Sequence, residues 1–431
     1  MLNPIKILEY KTCEISDESN LKKDDLKKLD NYLKCQGLEH YLHVTPNGIK
    51  ANSHVGVIKC KNLQVEILPK LLKGIDEYNF CELNKSKNII KNLVFMLSYT
   101  KELDIKTSDS AKLSSCKNPF LEILIREYSN SLFDCLKRVT PKNYIREEDN
   151  LNFLRGKLKF TENIRYNSAN QAKFYCEFDK FSEDNILNQL FLYVSTCLYN
   201  ISNDSKNKKL LKLIMNYFCD IRLVRFNRFK VEKIKLNRNQ LMFEKPFKLA
   251  KMFVENSSVD LSKNKFDNIT LMWDMNKLFE EFVYELLRRN SNALSIKLGF
   301  QKCKKLLKDD HRPKRNTFVD IFITSPREIV IDTKYKELKS FNDVKNTDIF
   351  QVSTYCLIHG AQEAILIYPQ YGEIKPNISD KYLNTDKNYK IKFKTINLQQ
   401  EDLKDYVTNV KENNIINNIK EILGEENVGN N

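Results

Sequence analysis

The chain has 431 residues, more than one hydrophobic core usually holds, so two or three domains are expected. Its 71 lysines and arginines outnumber its 56 aspartates and glutamates, and a net charge of +15 favours a polyanionic partner, although a Lys- and Asn-rich composition accounts for part of it. Eleven scattered cysteines without a C-x-x-C pair, and five histidines without ligand spacing, argue against a disulfide scaffold or a zinc site and fit a reducing cytoplasm. Residues 1–6 lack the apolar core of a signal peptide. The most apolar long run, residues 186–201, is interrupted by Asn188, Gln189 and Asn200, so no membrane contact is expected.

Residues 1–75 read as a β-rich domain. Leu21, Leu26, Leu29 and Leu33 recur at helical spacing over residues 20–35. Short strands are expected at 41–44, 55–60 and 63–68, the first followed by a Pro46-Asn47-Gly48 turn and the last ending in Pro69-Lys70. His40, His43 and His54 are expected to be packed or on the surface. Residues 76–247 look mainly helical and suited to docking a partner. Apolar stripes predict helices over 88–99 and 118–138, with a loop at 107–115 between them. Residues 151–158 read as a turn into a strand and 176–181 as another strand. A helix over 184–200 follows, with Ser182 as its N-cap. From Arg222 to Arg238, seven basic residues face one acid, with Phe226 and Phe229 interleaved. That composition fits a surface that tracks phosphates, and equally a solvated face.

Residues 248–400 carry the chemistry. A helix over 273–289 buries Met275, Leu278, Phe279, Phe282, Val283, Leu286 and Leu287, with Glu280 at the border of that stripe. The basic stretch 302–315 leads into the first of two apolar runs, 318–324 and 329–335, joined by a turn with Pro326. Both runs read as neighbouring central strands, yet they hold Asp320, Asp332 and Lys334. An ionised carboxylate in such a strand needs a reason. Side chains alternate along a strand, so Asp332 and Lys334 share a face, and pairing of the strands brings Asp320 alongside. Two hard carboxylates suit Mg²⁺ (or Mn²⁺), with a lysine to orient an attacking water or neutralise a transition state. The bland alternative is a salt-bridged pair at a strand end. Next, a helix over 343–360 puts Gln351 and Tyr355 at i and i+4, on one face. A strand at 364–368, an alternating edge strand at 390–398 and a helical tail at 401–431 complete the chain.

The spacing D-x11-D-x-K resembles the PD-(D/E)xK nuclease superfamily, and a Q-x-x-x-Y helix directly after it resembles RecB-like and Cas4-like nucleases. Several ordered segments resemble McrC, the nuclease subunit of McrBC-type restriction systems, including the LlaJI-like branch. They are Val55-Gly56-Val57-Ile58, Glu66-Ile67-Leu68-Pro69-Lys70, Leu154-Arg155-Gly156-Lys157-Leu158, residues 176–188, Leu236-Asn237-Arg238, Lys248-Leu249-Ala250, Met275-Asn276-Lys277-Leu278-Phe279-Glu280 and Asp332-Thr333-Lys334-Tyr335-Lys336.

This resemblance implies an α/β (α+β) protein with an N-terminal docking region and a C-terminal nuclease domain built on a mixed sheet flanked by helices. It implies Mg²⁺-dependent cleavage of double-stranded DNA and stimulation of an McrB-like AAA+ GTPase ring. The chain itself has no G-x-x-x-x-G-K-[ST] loop. By matching position, Asp320, Asp332 and Lys334 are the catalytic trio, and Glu280 is the fourth group, joining Asp320 and Asp332 as a metal ligand. Gln351 and Tyr355 support substrate or the metal shell. Val319 stands where that family usually has proline. Two other readings share these residues: a stand-alone RecB- or Cas4-like nuclease, and a non-catalytic adaptor that activates an AAA+ ring.

Overall fold

A computed structural model describes residues 5–15, 23–60, 63–70, 92–97, 99–100, 120–170, 172–260, 265–307, 315–336, 338, 340–370, 377–382 and 389–398. The loop expected at 107–115, the tail at 401–431, residues 88–91 and 98 of the first mid-chain helix, and 308–314 of the basic stretch lie outside the described residues. The chain divides into two compact units, Met1–Lys117 with Leu271–Asn431, and Asn118–Thr270.

The first unit opens with β1 (Ile5–Leu8), β2 (Thr12–Glu14), α1 (Lys23–Gln36), β3 (Leu42–Thr45), β4 (Gly48–Ala51), β5 (His54–Cys60) and β6 (Leu63–Leu68). β5 and β6 pair antiparallel, and β1 adds parallel to β6, with Ile7 opposite Ile67. β2, β4 and β3 make a second small sheet. Leu26, Leu29 and Leu33 form one stripe on α1 and bury it among Ile5, Ile7, Leu42 and Ile49. Gly56 has φ +145°, and a Cβ there would collide with the carbonyl oxygen of Leu271. Only glycine lets the two backbones approach so closely.

The second unit holds α2 (Phe120–Leu136), β7 (Asn143–Leu151), β8 (Lys157–Leu158), α3 (Phe160–Asn167), β9 (Phe174–Ser182), α4 (Ile186–Ile201), α5 (Ser205–Tyr217), α6 (Arg228–Glu232), α7 (Glu244–Glu255) and β10 (Ser257–Asp260). β11 (Lys265–Asp274) then carries the chain back into the first unit. The long ribbon β7–β9 and the short β8 form a three-stranded sheet inside a stretch read from sequence as mainly helical. Gly156, at φ +70°, sits where a Cβ would strike the carbonyl oxygen of Glu177 on β9.

Ser182 is not the cap of α4. Asn185 is, its side chain accepting from the backbone N–H groups of Leu187 and Asn188, because the helix starts two residues later than expected. Glu122 on α2 is buried yet satisfied. It accepts from Ser202 Oγ and Asn207 Nδ2 at 2.7 Å and from the Asn203 N–H at 2.6 Å, which ties α2 to the α4–α5 connection. Phe226 is buried against Tyr193, rings 5.8 Å apart, so it is a core residue and not part of an aromatic–basic surface. Phe229 is exposed.

The chain completes the first unit with α8 (Met275–Arg289), β12 (Lys297–Lys305), β13 (Asn316–Ser325), β14 (Ile329–Thr333), α9 (Asn346–His359), β15 (Glu363–Gln370), β16 (Asn377–Tyr382) and β17 (Lys390–Asn397). The sheet order is β12-β13-β14-β15-β17-β16. β12, β13 and β14 run antiparallel, β14, β15 and β17 run parallel, and β16 returns antiparallel. α9 makes the crossover between parallel β14 and β15. Val352 and Cys356 of that helix pack on Val319, Phe322, Val330 and Leu366 of the sheet. α8 starts at Met275, two residues after its expected start, because Asp274 caps it by accepting from the Asn276 N–H. Its seven expected apolar residues are all buried. β17 is not an edge strand: β16 lies outside it, and both its faces are covered, with Lys392 only 2% exposed.

Candidate acid–lysine site on the central sheet

β13 and β14 pair with Ile321 opposite Ile331 and Phe322 opposite Val330. Continuing that register by one residue sets Asp320 beside Asp332. The runs around them are apolar and β-branched, so they form central strands, with Asp320 left half-buried. Asp332 is fully buried. Lys334 lies just past the end of β14, and its Nζ stands 2.6 Å from Asp332 Oδ2. The same ammonium donates to Gln351 Oε1 at 3.0 Å, and Gln351 Nε2 donates to the Tyr355 hydroxyl at 2.7 Å. Gln351 and Tyr355 are one turn apart on α9, which the β14–β15 crossover lays over this end of the sheet. One connected line therefore runs Asp332–Lys334–Gln351–Tyr355.

Asp320 is held differently. Its Oδ2 accepts from the backbone N–H of Thr333 at 2.8 Å and from the Thr333 hydroxyl at 3.0 Å. Glu280, on α8, accepts from Gln301 Nε2 at 3.1 Å and feels the charge of both Asp320 and Lys334. The structure thus joins Asp332, Lys334, Gln351 and Tyr355, sets Asp320 beside Asp332, and leaves Glu280 within electrostatic reach. Thr333 and Gln301 were not singled out. A threonine next to a strand aspartate carries no distinctive pattern, and Gln301 meets Glu280 only through the tertiary fold.

Electrostatically the cluster is short of positive charge. Burial and then Asp320 push Asp332 up, against the pull of Lys334. Burial also raises Asp320, opposed by the Thr333 hydrogen bonds. Burial, and next Asp320, push Glu280 up to about 7. Burial acts to lower Lys334, but Asp332 and Asp320 outweigh it and hold the ammonium charged. Asp332 Oδ1 is buried without a hydrogen-bond partner among the described residues, and the contact from Lys334 to Oδ2 is an ion contact without hydrogen-bond alignment. An orphaned buried carboxylate oxygen costs free energy unless a cation or a proton reaches it. Among the described residues no three acidic, His or Cys side chains are drawn together as a ready-made metal cage. The donors present are carboxylate oxygens, the hard ligands that suit Mg²⁺.

The fold and this cluster define an α/β protein with an acid–lysine site at one end of a mixed sheet. The chain belongs to the family described as McrBC 5-methylcytosine restriction system component, whose model matches residues 49–369. A solved chain from the half-complex of the tetradecameric assembly of Thermococcus gammatolerans McrB AAA+ hexamers with bound McrC has the same fold. It is 22% identical, with a TM-score of 0.74, over 97% of this chain and 100% of that one. A chain of the Thermococcus gammatolerans McrBC complex is 25% identical with a TM-score of 0.54, over 67% of this chain and 88% of that one. A comparison with curated proteins found no match. No helix among the described residues is long and apolar enough to cross a membrane.

Proposed function

We propose that this chain is the nuclease subunit of a GTP-dependent McrBC-like restriction complex in the cytoplasm. It hydrolyses phosphodiesters of double-stranded DNA, and it docks on and stimulates an McrB-like AAA+ GTPase ring. The observation that carries the catalytic half is the arrangement of Asp320, Asp332 and Lys334. A buried carboxyl, Asp332, and a half-buried one, Asp320, sit side by side across a strand pair, with an ammonium 2.6 Å from Asp332. A structural salt bridge would need one carboxylate for one lysine, and here the acids exceed the bases.

The residues fit a PD-(D/E)xK site. Asp320 and Asp332 would hold Mg²⁺, with Glu280 within electrostatic reach of them. The bound metal would lower the pKa of a water and neutralise charge on the phosphate oxygens. Lys334 is fixed from two sides, by Asp332 and Gln351, so its ammonium is aimed before substrate arrives. That arrangement suits it to orient an attacking water or to stabilise charge as it develops on the phosphate. Tyr355 locks the Gln351 amide, and Gln351 locks Lys334.

The docking half rests on the solved chain from an assembly of McrB AAA+ hexamers with bound McrC and on the surface of the second unit. Tyr144, Phe153, Leu154, Phe160, Ile164 and Phe181 are all at least 58% exposed there. So much exposed apolar side chain on and around one small sheet marks an interaction face.

The test is cleavage of plasmid DNA with Mg²⁺ by the chain together with its AAA+ partner and GTP. Asp332→Ala and Lys334→Ala should each lower cleavage by about 10³-fold or more while GTPase stimulation stays at the wild-type level. Retained cleavage in either variant would overturn the site assignment. Cleavage by the isolated chain would turn the reading to a stand-alone nuclease. Stimulated GTPase with no cleavage by the wild type would leave an adaptor.

A further inference from the structure

Tyr335, the residue after Lys334, takes part in none of the contacts described above. It is 3% exposed, and three distant stretches of sequence meet on it. Its ring lies 6.0 Å from that of Phe279 on α8, the neighbour of Glu280. The Lys70 ammonium stands 4.6 Å from the centre of the same ring and donates to the Tyr335 backbone carbonyl at 2.9 Å. Lys70 follows β6 directly, and its own backbone N–H donates to Glu9 Oε1 at 2.8 Å. The Glu9 N–H in turn donates to the carbonyl of Leu68 at 2.9 Å. The Glu9 carboxyl also interacts with the Tyr335 hydroxyl.

The backbone around Lys334 can be accounted for group by group. The Thr333 N–H goes to Asp320, the Lys334 N–H to the Ile367 carbonyl on β15, and the Lys336 N–H to the Lys334 carbonyl. Past the Lys334 N–H the segment has left the strand ladder. The ammonium of Lys70 is what holds the Tyr335 carbonyl, and it comes from the N-terminal sheet. A charged donor to a buried carbonyl is stronger than a neutral one, and its cation–π contacts with Tyr335 and Tyr10 fix its direction.

We propose that Lys70 is a positioning residue for the acid–lysine site: by clamping the Tyr335 carbonyl it fixes the backbone from which Lys334 reaches Asp332 and Gln351. Its consequence for catalysis rests on the nuclease reading above; the clamp itself does not. Lys70 acts on the backbone one residue past Lys334, so its role is to set geometry. Tyr335 packs against Phe279, so the same clamp also steadies the helix that presents Glu280.

The experiment compares wild type, Lys70→Met and Lys70→Arg in the full chain with its AAA+ partner, Mg²⁺ and GTP. Lys70→Met should lower kcat for DNA cleavage about tenfold or more with KM for DNA unchanged, and Lys70→Arg, which keeps a charged donor, should recover most of it. Amide hydrogen exchange of the isolated chain supplies a readout independent of cleavage. In Lys70→Met the peptide spanning 333–336 should exchange about tenfold faster, with peptides from β13 and β15 unchanged. If Lys70→Met does not fold, Lys70→Gln, a shorter neutral donor, takes its place with the same expectation. Unchanged exchange at 333–336 overturns the clamp. Faster exchange with kcat unchanged overturns its positioning role, and a rise in KM alone identifies Lys70 as a DNA contact. A wild type that does not cleave refutes the nuclease reading, and the exchange result then decides the clamp alone.

Discussion

At Glu9, burial pushes the carboxyl up to about 7, against the Lys70 backbone N–H, the Lys70 charge and the Tyr335 hydroxyl, with Asp274 adding to the rise. The folded chain therefore holds a proton at Glu9 up to higher pH than the unfolded chain, whose value is 4.5. Stability from this group is complete below 4.5 and is lost as pH climbs through 7, with an upper limit of about 3 kcal/mol. Glu9→Gln should remove that slope. Urea melts at pH 5 and pH 8 should show a smaller stability difference in the variant than in the wild type, and an equal difference would refute the assignment. Some of this chemistry was legible in the sequence. Asp320, Asp332 and Lys334 stand out because a strand has a period of two and charges in an apolar run are conspicuous. Glu9 and Tyr335 look ordinary, since their burial comes from contacts hundreds of residues apart. Gly56 and Gly156 fall in family-like segments of the sequence, and close backbone approach supplies the physical reason for each.

β17 illustrates how far an element can be read. Lys390, Ile391, Lys392, Phe393, Lys394 and Thr395 alternate as a half-exposed edge strand should, and the strand is present. Its position is different: Lys392 and Lys394 on β17 are buried, and Lys392 Nζ meets Glu363 Oε1 at 2.6 Å across the β15–β17 pair. A buried pair loses heavily when one partner goes, because the other charge stays behind. Lys392→Ala should cost about 3–5 kcal/mol, whereas the double change Lys392→Met with Glu363→Met should recover most of that, both read by chemical denaturation. A single substitution as mild as a surface change would contradict the burial. Hydrophobic pattern gives strand existence; sheet order depends on which neighbour arrives, and the outer strand β16 carries too little pattern to announce itself. α8 was the easier case, because seven apolar residues at helical spacing leave one solution.

For the whole molecule, chain order misleads. Sequence suggests an N-terminal domain, a helical middle and a nuclease domain from residue 248. In the structure the N-terminal sheets and the acid–lysine sheet belong to one compact unit, interrupted by Asn118–Thr270. Gly56 against Leu271 and Lys70 against Tyr335 are contacts within that unit which no local signal encodes. A fragment of residues 248–431 should therefore fail to fold cooperatively, while one joining 1–117 to 271–431 through a short linker should melt as a single transition. A soluble, cooperatively melting 248–431 fragment would contradict this division. Charge, order of motifs and general class were readable because they need only the linear text; the grouping of segments was not.

The split of the first unit around the second has a consequence in time. A chain leaves the ribosome N-terminus first at about 5–20 residues per second, and domains fold as they emerge. The inserted unit is complete while β13, β14 and α9 have yet to be made. We predict that the inserted unit folds tens of seconds at most before the acid–lysine site can assemble; under the proposed function, a nascent subunit would then meet its ring before it could cut DNA. A protease pulse on chains stalled near residue 300 should find the inserted unit already resistant and the N-terminal segment still open.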